Sequence, residues 1–325
     1  IDPRNPGVMK VLLRAQIEAD DIEGGIASLQ TLAEISPSSP QLHYQLARLH
    51  LKQKNAAAAR QSLERAISLQ PDYPAAQATL GRLEIVEKDY AAAQGIARAL
   101  QQAHPQAADG YQLEGDLLAA QGQFKQAAEI YGKAYGLRAS ARLAVNMFNM
   151  RLLNGESGPA INALRTWLNG HPEDNATRMV LATHLQQGGR LEEATTEYLA
   201  ILGQDPDNVT ALNNVAWLYQ LQGSDKGIAY AEQAYELAPQ RPEIMDTLGW
   251  LLVQNGRQQR GLILLQEAVT RAPRSAEIRY HMAVALAEVG RSEEARNELE
   301  RILGQEKAFP EAGEARALLD RLNRN

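Results

Sequence analysis

Leu191–Pro206, LEEATTEYLAILGQDP, reads as an amphipathic helix closed by a proline-ended turn, with the small residue Ala194 standing twelve places before Pro206. The same punctuation recurs along the chain. Pro172, Pro206, Pro239 and Pro273 lie 34, 33 and 34 residues apart, and upstream Pro3, Pro37, Pro71 and Pro105 are each 34 apart. The 67 residues from Pro105 to Pro172 hold one further slot, occupied by Ala139. Twelve places before each slot stand Gly25, Ala59, Ala93, Ala127, Ala160, Ala194, Gly227, Gly261 and Ala295. With Ala and Gly at about 23% of the chain, nine small residues in register by chance is on the order of one in half a million. Paired helices seat closely where one of them carries no long side chain.

The register gives nine repeats, beginning near Pro6, Pro40, Pro74, Ala108, Ala141, Asn175, Asn208, Pro242 and Ala276, each of two amphipathic helices and a short turn. The eighth place of the first helix is small at Ala47, Gly81, Gly115, Ala182, Ala216, Gly249 and Ala283, with Leu13 and Phe148 departing. The seventh is large and apolar except at Glu114. A turn glycine (Gly122, Gly155, Gly189, Gly223, Gly256, Gly290) appears from the fourth repeat on, where the first three have Asp20, Lys54 and Lys88. Between the fourth and fifth repeats the slot lacks its proline and Met147, Phe148 and Met150 crowd a helix, so a bend is expected at residues 137–145. Ile1-Asp2-Pro3 occupies the place of a repeat's last turn. It is expected to be the tail of a preceding repeat in a longer solenoid, with any signal peptide or lipid-attachment cysteine upstream.

Composition bounds the function. The 325 residues carry a formal charge of −6 with both signs mixed, a poor footprint for nucleic-acid backbones. No apolar run approaches the ~18 residues that span a bilayer, and the absence of cysteine removes disulfides, thiolate metal sites and a cysteine nucleophile. The six histidines form no metal-ligand spacing, and Gly155-Glu156-Ser157-Gly158 lacks the strand and turn of a nucleophile elbow. No enzyme activity, cofactor or metal is expected.

The small-residue, aromatic and proline columns resemble the tetratricopeptide repeat (TPR) family from Pro6 to about Leu303; LEEATTEYLAILGQDP is a close match and YAAAQGIARALQQAHP (90–105) a loose one. The resemblance implies an all-α solenoid, a right-handed superhelix of about nine helix pairs. Its organisation would be a truncated tail (1–5), repeats one to four (6–140), repeats five to nine (141–307) and a capping helix (308–325), in one continuous domain. It also implies a concave groove lined by the first helices, where Lys10, Arg14, Tyr44, Arg48, Arg82, Gln112 and Asp116 give a basic stretch followed by an acidic one.

The seventh to ninth first helices, ALNNVAWLYQLQG, EIMDTLGWLLVQNG and EIRYHMAVALAEVG, put Asn213, Asp246 and Tyr280 in the fifth place, Asn214, Thr247 and His281 in the sixth, and Trp217 and Trp250 in the ninth. Those indoles suit either of two uses, filling the seam between first helices or anchoring a ligand oriented by the polar groups. The candidate ligand-binding groove is therefore Asn213, Asn214, Trp217, Asp246, Trp250, Tyr280 and His281, with Asn146, Asn149, Arg48 and Arg82 as a secondary groove. Residues 209–303 are similar to the C-terminal repeats of bacterial TPR lipoproteins associated with exosortase/PEP-CTERM sorting and exopolysaccharide production. That similarity implies a periplasmic or envelope protein touching the membrane only through a missing N-terminal anchor.

Three functions remain in play. The chain is expected to be a scaffold that takes a protein or peptide in its groove. The alternative is a sleeve in which indoles stack on the sugars of a secreted polysaccharide. A third is the targeting arm of an enzyme whose catalytic domain lies elsewhere in a longer chain.

Overall fold

The computed structural model describes residues 6–304 and 309–324, so the expected tail at residues 1–5 and the first residue of the expected cap, 308, lie outside the described residues. Among the described residues there are nineteen α-helices and no strand. They fall into two compact units, Ile1–Gly170 and His171–Asn325. The first unit holds five helix pairs: α1 (Pro6–Glu18) with α2 (Ile22–Ile35), α3 (Pro40–Lys52) with α4 (Ala56–Leu69), α5 (Pro74–Val86) with α6 (Tyr90–Ala103), α7 (Ala108–Ala120) with α8 (Phe124–Leu137), and α9 (Ala141–Leu153) with α10 (Ser157–Gly170). The second holds α11 (Asn175–Gln187) with α12 (Leu191–Leu202), α13 (Val209–Leu221) with α14 (Gly227–Leu237), α15 (Pro242–Gln254) with α16 (Gln258–Arg271), α17 (Ala276–Glu288) with α18 (Ser292–Leu303), and the single helix α19 (Ala312–Arg324). The chain is an all-α solenoid.

The small-residue column lies where the two helices of a pair meet. Ala59, Ala93, Ala127, Ala160, Ala194 and Ala295 are fully buried. A Cβ built on Gly227 would come within 2.5 Å of the Ala216 carbonyl oxygen, and one on Gly261 within 2.6 Å of the Gly249 carbonyl oxygen. Eighth-place glycines serve a different neighbour: Gly81 faces Leu113 and Gly115 faces the ring of Tyr131, so a large side chain fills the space each one leaves. Glu114, the polar residue of the apolar seventh column, is half-buried and accepts a hydrogen bond from Gln101 Nε2 at 2.7 Å.

The turns inside the pairs come in two chemistries. Asp20, Lys54 and Lys88 take φ of 54°, 59° and 65°, in the left-handed region where the later repeats place glycines. A residue with a Cβ is disfavoured there by roughly 1–2 kcal/mol. In each case the next residue, Asp21, Asn55 or Asp89, caps the following helix by accepting from the backbone N–H three residues on, at 2.9, 3.1 and 3.0 Å. Such a cap contributes about 1 kcal/mol and offsets much of the strain. Where glycine relaxes the turn, the N-cap residues of α8, α12, α16 and α18, which are Gln123, Arg190, Arg257 and Arg291, make no side-chain cap.

Corners between repeats are tied to the prolines. Gln77, Arg178 and Arg279, each in the fourth place of a first helix, donate to the carbonyls of Pro71, Pro172 and Pro273 at 3.0, 2.9 and 2.9 Å, and His43 Nε2 lies 3.2 Å from that of Pro37. At residues 137–145, where the sequence suggests a bend, Ser140 Oγ caps α9 through Leu143 N–H, and Leu143 and Ala144 are fully buried. The division into units comes one helix pair later, after Gly170. The last helix, α19, buries Ala315, Leu318 and Leu322 in a cluster with Leu299 and Ile302 of α18.

Candidate functional site

Five of the seven residues picked out near the C-terminus come together. His281 is only 1% exposed, and its Nδ1 lies 2.8 Å from Oδ1 of the buried Asp246 one repeat earlier. The imidazole stacks on Trp250 with ring centroids 4.3 Å apart and planes 23° apart, while Trp217 and Tyr280 close around it at 6.0 and 5.9 Å. Thr247 is buried and donates to the Glu243 carbonyl at 3.0 Å. Asn213 and Asn214 are half-buried, and Asn213 Oδ1 has no hydrogen-bond partner among the described residues. Nearby, burial pushes the Glu277 carboxyl above its ordinary value, helped by the charges of Asp246 and Glu311 and opposed by His281. These groups make a packed seam between α13, α15 and α17, with one face of Trp250 covered by the imidazole.

Two concavities lie at the other end of the sequence. A cavity of about 720 Å³ is lined by Ile17, Leu29, Tyr44, Gln45, Arg48, Leu49, Leu51, Lys52, Lys54, Ala56, Thr79, Arg82, Leu83 and Val86. A second, of about 690 Å³, is lined by Pro6, Lys10, Leu13, Arg14, Ile17, Glu18, Leu32, Ser36, Ser39, Gln41, Leu42 and Gln45. Sharing Ile17 and Gln45, the two form one trough over the first helices α1, α3 and α5. Both sizes fall in the ~300–1,000 Å³ range of ligand pockets. Its apolar lining includes Ile17, 46% exposed, and Val86, 77% exposed.

The predicted residues Lys10, Arg14, Tyr44, Arg48 and Arg82 all line this trough. Arg82 Nε donates to Asp116 Oδ2 at 2.8 Å, and Tyr131 holds the other carboxylate oxygen at 2.7 Å. Gln112, buried, accepts from Arg142 at 2.6 Å, so the acidic stretch expected beside the basic one is engaged in these bonds. Tyr44 packs on Tyr73 at 5.3 Å, and its hydroxyl lies 3.4 Å from Thr79 Oγ1, joining α3 to α5. Asn146 is half-buried and Asn149 exposed on α9, and neither lines the trough.

Sequence reasoning missed Gln45, Lys52, Lys54, Thr79 and Val86. Lys54 carried a signal, since it stands in the turn column where later repeats have glycine. Among the described residues no cluster of His, Asp and Glu is arranged to hold a metal ion, and no helix is long and apolar enough to cross a membrane.

The tetratricopeptide repeat family matches residues 16–83, 50–117 and 259–322, and a second description of the same repeat matches residues 179–242. "TPR repeat-containing protein PA4667" of Pseudomonas aeruginosa is 25% identical over 169 residues, 49% of this chain. The match spans 28% of that relative's length. Among solved structures, a tetratricopeptide repeat protein from Parabacteroides merdae aligns over 88% of this chain and 99% of its own, with a TM-score of 0.49 and 15% identity. MamA aligns over 49% of this chain and 93% of its own, with a TM-score of 0.44 and 15% identity. With the family matched over more than half of its residues and its helix pairs in that register, this chain belongs to the tetratricopeptide repeat family.

Proposed function

We propose that the chain is a non-catalytic scaffold that holds a protein partner against its first helices, and that the trough over α1, α3 and α5 is where it does so. The observation that carries this reading is the pair of adjoining cavities lined by exposed apolar side chains together with six cations. Exposed apolar surface rimmed by polar groups marks an interaction site more often than a bare surface does. The C-terminal cluster is assigned to packing instead, because Asp246, Tyr280 and His281 are buried, Asp246 and His281 pair with each other, and Tyr280 packs against the rings of Trp250 and His281. The sugar-sleeve reading loses support for the same reason, since the Trp250 face it needs lies against His281.

The setting we propose is the bacterial envelope, in exopolysaccharide or protein-sorting machinery, on the likeness of residues 209–303 to the TPR lipoproteins named above. Fractionation of the full-length gene product checks that setting. The scaffold itself is checked by placing a photo-crosslinking residue at Val86, and separately at Ile263, an exposed apolar residue of α16, in cells of the source organism. A discrete protein adduct at Val86 and none at Ile263 supports the trough. Adducts at both positions, or at neither, refute it.

A further inference from the structure

We infer that the seam between α15 and α17 is a pH-sensitive clasp, which closes more firmly when His281 carries a proton on both ring nitrogens. The imidazole is only 1% exposed, so a charge on it acts on its immediate neighbours with little screening by water. Its Nδ1 lies 2.8 Å from Oδ1 of Asp246, itself buried on α15, and its ring stacks on Trp250 of the same helix at 4.3 Å. Trp217 of α13 and Tyr280 of α17 close the surround. His104 also meets a carboxylate, that of Asp72, but the Asp72 side chain is 73% exposed and water screens the pair.

A neutral imidazole donates one hydrogen bond to Asp246. A charged one keeps that bond, pairs with a carboxylate that has little water around it, and lies over an indole face, which attracts a cation within about 6 Å of its centroid. Burial takes the charge out of water, a cost that the paired carboxylate and the indole are placed to offset. A second carboxyl works in the same direction. Glu277 stands four residues before His281 on α17, and the charges of Asp246 and Glu311 push its carboxyl up while that of His281 opposes them. With the imidazole neutral, Asp246, Glu277 and Glu311 are like charges around one seam; with it charged, a cation stands among them. The phenol of Tyr280 adds Glu314 and Arg321 of α19, one of each sign, to the surroundings. The clasp is therefore firm in acid and weakens as pH rises through the range where imidazoles titrate, about pH 5–8.

The test is native-state hydrogen exchange of the full chain at pH 5 and pH 8, with rates corrected for the intrinsic pH dependence of exchange. The expected result is protection of α15 and α17 amides greater at pH 5 by about threefold or more, with α8 amides of the first unit unchanged as the reference. His281→Gln keeps a donor for Asp246 but does not titrate, and is expected to abolish the step. Asp246→Asn keeps a hydrogen bond, removes the charge, and is expected to shrink the step; it decides alone if the first variant does not fold. No step in the unsubstituted chain overturns the inference, and so does a step that survives His281→Gln or is undiminished by Asp246→Asn. Loss of the whole step in Glu277→Gln overturns it too, because the pH dependence would then belong to that carboxyl and not to the imidazole.

Discussion

Replacing Gly261 by Ala sets two forces against each other with opposite signs. In the interior of α16, alanine is the better helix former by about 1 kcal/mol, so propensity alone makes the substitution stabilising. The new Cβ would stand 2.6 Å from the Gly249 carbonyl oxygen and 2.6 Å from Val253 Cγ2. Carbon contacts relax near 3.5 Å, so α15 and α16 must part by close to an ångström. Overpacking of that kind costs about 1–3 kcal/mol. The net expectation is a loss of about 0–2 kcal/mol once the propensity gain is returned. Gly95, inside α6, is exposed and has no atom within 4 Å of a built Cβ, so Gly95→Ala is expected to stabilise by about 0.5–1 kcal/mol. Because each repeat leans mainly on its neighbours, the effects are local. Native-state hydrogen exchange is the suitable assay, with α15 and α16 amides losing protection in the first variant and α6 amides gaining it in the second. If Gly261→Ala protects its helices as Gly95→Ala protects α6, the close backbone contact assigned to this column is wrong.

Three further outcomes concern a turn, the buried histidine and the Glu277 carboxyl. Lys88→Gly releases a left-handed turn at φ 65° and is expected to raise stability by about 0.5–1 kcal/mol after the added freedom of the unfolded chain is counted, read from the denaturant midpoint of the first unit's signal. His281→Ala leaves Asp246 buried without its partner and a hole beside Trp250, for a loss of about 3 kcal/mol in the second unit; a loss under about 1 kcal/mol would mean that the stack and hydrogen bond carry little. Glu277 holds its proton more tightly folded than unfolded, so its contribution to stability falls as pH rises from about 4.5, its ordinary value, through the raised one. Glu277→Gln should therefore add more stability at pH 7 than at pH 4, and an equal gain at both would contradict the shift.

The fold was legible because steric necessity writes itself into composition. Two helices cannot approach closely past a long side chain, so Ala59, Ala93 and their equivalents stay small wherever the pair closes, and a turn in the left-handed region keeps its place even when lysine fills it. The site was legible only in part. That Trp217, Asp246, Trp250 and His281 share neighbouring places could be read from the period, but whether those places face a groove or a seam depends on a rotation of one residue, about 100°, around each helix axis. The trough was legible in part for another reason. Lys10, Arg14, Arg48 and Arg82 could be read as a basic stretch from their helix places, whereas Lys52, Lys54 and the exposed Val86 join them only through the packing of α1, α3 and α5. The boundary after Gly170 leaves no mark either, since Pro172 keeps the period like its neighbours.

The imidazole pressed against Trp250 also gives the second unit an optical signature. The chain has three tryptophans, Trp167 in the first unit and Trp217 and Trp250 in the second, and none lines the trough. Separating α15 from α17 would pull the ring at 4.3 Å off the indole and admit water, shifting the emission to longer wavelength. A peptide docking over α1, α3 and α5 leaves both of those indoles where they are. Intrinsic fluorescence thus follows the integrity of the C-terminal repeats, and a tryptophan carried on a bound peptide would be seen against a steady background.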